Sequence, residues 1–96
     1  MTEEQAMRVI ETLREKGKRN FSSHNFIKKY AELYQREYIT MLWDKRDAVS
    51  PFQTVHSQIG LELERMQDCC GFEKDGRVSS ENIFGNSDEV QNWRLT

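Results

Sequence analysis

Apolar residues recur at helical spacing from the start of the chain. Ala6, Val9, Ile10 and Leu13 fall at i, i+3, i+4 and i+7, the period of one buried helix face. Thr2 followed by Gln5 resembles a capping box, and Glu3 and Glu4 suit the positive end of a helix dipole. Lys16 and Gly17 then supply a cation in the last turn and a glycine just past it. The pattern predicts a helix over residues 3–16.

Lys18, Arg19 and Asn20 form a polar link, after which Phe21 precedes two candidate caps, Ser22 and Ser23. Residues 24–45 contain neither Gly nor Pro. Ile27, Tyr30, Tyr34, Tyr38 and Met41 trace one stripe there, while Ile39, Leu42 and Trp43 point elsewhere. That divided pattern predicts one long helix with a wide buried face, or two helices with a break near residues 35–37. Residues 44–49 lack periodicity and read as a loop. Ser50-Pro51 is a strong helix start, and Phe52, Val55, Ile59, Leu63 and Met66 carry the period onward, so a helix is expected over residues 51–70 with Gly71 beyond it.

The last quarter, residues 71–96, changes character. Asp75-Gly76 signals a tight hairpin turn. Ile83-Phe84 and the run from Val90 to Leu95 read as two short extended pieces across a turn-rich link, although Ser87 is also placed to cap a short helix over residues 89–93. Phe26, Ile27, Tyr30, Tyr34, Leu42, Val55, Ile59, Leu63, Phe72 and Phe84 are the expected core, with Trp93 docking the C-terminus onto it.

A chain of 96 residues suffices for one domain, and its ten aromatic residues set it apart from disordered sequences. The net charge of -2 gives no global attraction to nucleic acid or membrane. Its distribution is uneven: residues 1–50 hold ten Lys/Arg against eight Asp/Glu, and residues 51–96 hold four against eight. An anionic partner should therefore meet the first half. No apolar run approaches the roughly 20 residues of a membrane helix. The opening Met1-Thr2-Glu3-Glu4-Gln5 is unlike a secretion signal, and the adjacent Cys69 and Cys70 suit reduced thiols; a cytoplasmic location is expected.

Motifs for chemistry are scarce. His24, His56, Cys69 and Cys70 are the soft ligands available, yet no Cys-x-x-Cys or His-x-x-x-His pair occurs. Neighbouring cysteines on a helix also point about 100° apart, so no metal site and no cofactor are expected. No phosphate loop, nucleophile elbow or zinc-protease motif is present, and catalysis is not expected. Lys16, Lys18, Arg19, Lys28, Lys29, Arg36, Lys45 and Arg46 surround the first two predicted helices, with Lys28 and Lys29 placed to touch phosphates. At the start of the third, Gln53, Thr54, Ser57 and Gln58 face outward, and such side chains read base edges in a major groove.

Three helices followed by Gly71-Phe72, the Asp75-Gly76 turn and terminal extended segments resemble the winged helix-turn-helix architecture, in element order over nearly the whole chain. The resemblance implies a mainly α domain over residues 1–96 with a small C-terminal β-hairpin. It places the start of a recognition helix at residues 51–58, and puts Lys74 and Arg77 on a wing. The expectation is a small nucleic-acid-binding or regulatory domain for double-stranded DNA that reaches useful affinity as a dimer. The alternative is a protein-interaction module, homodimeric or with another protein, anchored by the tyrosine stripe or an exposed Trp43. Neither reading involves a membrane or a small-molecule substrate.

Overall fold

Thr2 caps the first helix as its sequence predicts. Its hydroxyl accepts from the Gln5 amide at 3.1 Å while the Gln5 side chain accepts from the Thr2 amide at 3.0 Å. The helix α1 spans Glu3–Glu15 and buries Ala6, Val9, Ile10 and Leu13. The computed structural model describes residues 1–17 and 19–96; Lys18, grouped above with the basic residues and the link, lies outside them.

A short strand that periodicity did not reveal follows, β1 at Asn20–Ser22. Ser22 ends it and at once caps α2 (Ser23–Leu33), exchanging bonds with Asn25 at 3.0 and 3.1 Å. Phe21, just before the cap, packs on Phe26 with ring centroids 6.1 Å apart, the staple arrangement that fixes the chain's angle of entry. The apolar stretch that follows is two helices. Tyr34, at φ -123° and ψ 57°, separates α2 from α3 (Gln35–Asp44), one residue before the expected break. The turn gives the two apolar groups different directions: Phe26, Ile27 and Tyr30 are buried on α2, and Tyr38 is the buried residue of α3.

Ser50 and Pro51 open α4 (Pro51–Arg65), which buries Val55, Ile59 and Leu63. Ser50 occupies the cap position without a side-chain cap bond. The expected helix over residues 51–70 breaks at Met66, and a single turn, α5 (Gln67–Cys70), leads to Gly71 in the left-handed conformation at φ 73°. Helix α2 is the hub, touching α1, α3, α4 and each strand.

The C-terminal segment departs most from its pattern. Rather than a small hairpin it forms two long strands, β2 (Phe72–Glu81) and β3 (Ser87–Leu95), and β1 joins them in an antiparallel sheet of order β1-β3-β2. The fold is thus mixed, with five helices and three strands among the described residues. No helix covers residues 89–93, which lie in β3. Asp75-Gly76 is not the hairpin turn. Lys74 pairs with Trp93 and Arg77 with Gln91, so Asp75 and Gly76 together face Asn92 in a β-bulge. Gly76 has φ 72°, and a bulge asks for the same left-handed glycine that a tight turn does. The Asp-Gly pair thus supplies the expected backbone conformation in a different element. The actual turn lies at residues 82–86, where Asn82 Oδ1 accepts from the amides of Phe84 and Asn86 at 2.9 and 3.1 Å. Ile83 and Phe84 are therefore turn residues and not strand.

Trp93 is buried in the middle of this arrangement. It faces Phe21 across the β1–β3 pairing, meets Phe72 edge-on at 5.4 Å, and donates from Nε1 to Ser23 Oγ at 3.0 Å. Of the expected core, Tyr34 and Leu42 are half-buried and Phe84 is exposed; the others are buried. Replacing Trp93 by alanine removes its packing on Phe72 and its bond to the start of α2. Trp93→Ala should cost about 3–5 kcal/mol, and Trp93→Phe distinctly less, as read by urea unfolding. Equal losses for the two variants would mean that ring volume is not what Trp93 contributes.

Candidate functional site

Helix α4 begins near the hairpin turn, and the two enclose a groove of about 530 Å³. His24 and Ser23 enter it from the start of α2, Gln53, His56 and Ser57 from α4, and Arg77 from β2. The hairpin is tied to the start of α2 beside the groove by two contacts. Ser22 Oγ and Ser80 Oγ lie 2.7 Å apart, and His24 Nδ1 donates to the Ser80 carbonyl at 2.9 Å. A carbonyl only accepts, so Nδ1 of His24 carries a proton. Beyond its bulge the hairpin thus bends back over the start of α2.

A row of four rings runs along one side. Tyr38 on α3 stacks near His56 at 5.9 Å, His56 meets Phe52 at 6.1 Å, and Phe52 meets Phe84 edge-on at 4.9 Å. Tyr38 Oη and His56 Nε2 are 2.6 Å apart. Burial raises the Tyr38 phenol above its ordinary value, and burial, then the nearby His24, lowers the His56 imidazole below its own. Both partners of that bond are therefore uncharged at neutral pH.

The row continues into an apolar band. Ile83, beside Phe84, shares a shallow shelf of about 410 Å³ with Tyr38 and Ile39 of α3. Ile39 and Trp43 stand one turn apart on α3 with 62% and 64% of their surface exposed, and Phe84 and Phe52 expose 56% and 41%. Large side chains grouped this way on the surface mark contact sites more often than chance exposure does. The Arg46 guanidinium sits over the Trp43 ring, 4.5 Å from its centroid, a cation–π contact that still leaves the residue mostly exposed.

Of the eight residues expected to form a nucleic-acid footprint, three converge on the groove and five do not. Gln53, Ser57 and Arg77 share the groove, with Gln53 and Ser57 exposed on the first turns of α4. Thr54 is half-buried, and Gln58, also half-buried, lines a separate hollow with Tyr30 and Met41. Lys28 lies on the shelf beside Ile39 and Ile83. Lys29 is bound to Glu32 at 2.8 Å and Lys74 to Glu64 at 2.5 Å. Arg77 donates to the Glu89 carbonyl at 2.7 Å. Because the turn is at residues 82–86, Lys74 and Arg77 stand on either side of the bulge and away from the tip. Acidic Glu81, Asp88 and Glu89 are the exposed charges nearest the turn.

Sequence periodicity missed Phe52 and Phe84 as surface residues. Phe52 sits at the second position of α4, where the helix outruns the core beneath Val55 and Ile59. For Phe84 a signal existed: the run Gly85-Asn86-Ser87-Asp88 directly after it is turn chemistry. No metal-holding group of three or more His, Cys, Asp or Glu is found among the described residues. Among those residues no helix is long and apolar enough to cross a membrane. No family model, curated protein or solved structure matches the chain.

The lowered His56 basicity has a consequence for stability. The unfolded imidazole takes its proton near pH 6.5, whereas the folded one resists. Stability from this group is therefore complete above about pH 6.5 and is lost progressively as pH falls through the folded value. His56→Gln should flatten the fall in melting temperature between neutral pH and about pH 5. Parallel curves for the variant and the parent would remove His56 as a source of the acid sensitivity.

Proposed function

We propose that the protein is a non-catalytic interaction module that docks an apolar segment of another protein on the band formed by α3, the hairpin turn and the start of α4. The observation that carries this reading is Trp43, 64% exposed on the same face as Ile39. Folding leaves both outside although the core beneath is closed. Tryptophan is the side chain most enriched among the dominant contacts of protein interfaces, where one large ring displaces much water at little entropic cost. Mixed charges rim the band, with Arg36, Glu37, Lys45 and Asp47 exposed on or after α3; a polar rim of this kind surrounds typical contact surfaces.

A winged-helix-like arrangement is part of the proposal. With α2 and α3 counted as one helix broken at Tyr34, α4 takes the third-helix place before the hairpin. That order, with Gln53 and Ser57 exposed at the beginning of α4, also favours a second reading, duplex DNA held through α4 and Arg77. Charge argues against it. Lys29 and Lys74 are engaged by carboxylates, and Glu81 and Asp88 flank the turn that would approach the phosphates. DNA affinity depends on neutralising phosphates with cations that are free to do so.

The two readings separate in one set of measurements. A photo-crosslinking residue placed at position 43 or 84 should trap a partner protein, while one at Glu4 on α1 should not. Trp43→Ala should then weaken that partner by about thirtyfold or more, the cost of losing a dominant contact residue. Random duplex DNA should leave fluorescence anisotropy unchanged at low salt. Salt-sensitive DNA binding that Lys28→Glu with Lys29→Glu abolishes and Trp43→Ala leaves intact would reject the docking module.

A further inference from the structure

Cys69 and Cys70 lie on the single turn α5, far along the chain from the groove residues of α2 and the hairpin turn, and both are free thiols. Neighbouring residues on a helix leave it about 100° apart, which disfavours their joining one tetrahedral metal site, yet their side chains bring the two Sγ atoms to 3.6 Å. Cys69 is exposed and Cys70 buried, so one sulfur opens the site to solvent and the other closes its floor. The Cys69 thiol also donates to the Met66 carbonyl at 3.4 Å, which fixes its orientation toward its neighbour.

That separation suits a bridging atom better than a direct bond. A pyramidal atom bonded to two sulfurs at roughly 2.3 Å each, at an angle of about 95–105°, holds them roughly 3.4–3.6 Å apart. A disulfide needs about 2.05 Å and Cα atoms at least about 4.4 Å apart, whereas adjacent residues have theirs at about 3.8 Å. We propose that Cys69 and Cys70 form a two-thiol capture site for a trivalent metalloid compound, such as an organoarsenical, which closes a ring by bonding to both sulfurs.

The metalloid class follows from what the site lacks and from its protons. Zinc in a structural site wants four ligands, and no group of three or more His, Cys, Asp or Glu is available among the described residues. A compound R–As=O needs two. Each sulfur forms one As–S bond, both thiol protons pass to the oxide oxygen, and one water leaves; arsenic remains trivalent and nothing is oxidised. No free thiolate has to accumulate, which matters because burial, and then the hydrogen bond that it donates to Cys69, pushes the Cys70 thiol up to about 11. A divalent cation would have to displace that proton into solvent at neutral pH, against the shift.

The test uses the full chain with phenylarsine oxide as probe and zinc as the comparison. One equivalent should add to the protein by mass, consume both thiols, and come off with a dithiol but not with an equal concentration of a monothiol. Cys69→Ser, at an exposed position, should weaken capture by about a hundredfold or more, the usual advantage of a second tethered contact. Cys70→Ala should do the same, with circular dichroism confirming that each variant folds. Undiminished capture by Cys69→Ser, consumption of a single thiol, or tighter binding of zinc than of the arsenical would each overturn the proposal.

Discussion

The stretch from Phe21 to Asn25 holds the sheet to the helices, and the remaining structure depends on it. Within five residues the backbone completes the pairing of β1 with β3 and starts α2, whose orphan amides need acceptors at that point. Ser22 answers both demands, as the last residue of the strand and as the reciprocal partner of Asn25. Ser23 then receives the indole N–H of Trp93 and donates to the Gln91 carbonyl at 3.3 Å. Polar groups in a nearly dry place are costly unless paired. Here they pair across three elements, so the direction of α2 is set relative to β3 by hydrogen bonds as well as by the rings of Phe21, Phe26 and Phe72.

Helix α2 passes this fixed direction outward. It packs on α1 by one side, on α4 by another, and ends at Tyr34, where α3 sets off at a new angle. A consequence is that α3 has only Tyr38 buried, while Ile39 and Trp43 on its outer side stay largely exposed. The exposed aromatic band is thus a product of the same break that lets the core close. Apolar area of that size is normally costly to leave in water, and natural chains retain it where a contact compensates.

Much of the helical part was legible because helices announce themselves locally. The capping pair Thr2 and Gln5, the cap at Ser22, and Pro51 after Ser50 are signals read within four residues, and each fell in its predicted place. The break at Met66 left no such mark, since neither Gly nor Pro stands there. The sheet was harder for a physical reason: β1 is three residues long, and its pairing with residues 92–94 lies far outside any local window. Surface or core assignment failed at element ends, for Phe52 and Phe84, where periodicity says which face a residue is on but not whether anything lies opposite. The footprint residues illustrate the same limit. Gln53, Ser57 and Arg77 meet in one groove, while Lys29 and Lys74 were drawn off by Glu32 and Glu64, partners that only the folded chain identifies.

The bulge at Asp75 and Gly76 reaches further than its position implies. By inserting one residue against Asn92 it lets β2 bend, and that bend carries Ser80 to Ser22 and Phe84 to Phe52. Side chains in a strand alternate with period two, so the extra residue also reverses parity for everything beyond it. The distal hairpin consequently presents to α2 and α4 the set of side chains that an unbroken ladder would turn away. Insertions or deletions in this hairpin are therefore not equivalent by length. Changes of two residues between the bulge and the turn conserve the facing set and only shift its reach, whereas a change of one exchanges inside for outside along the whole distal arm. The contact surface is in this sense written as an odd or even count, kept by a glycine that makes no part of it.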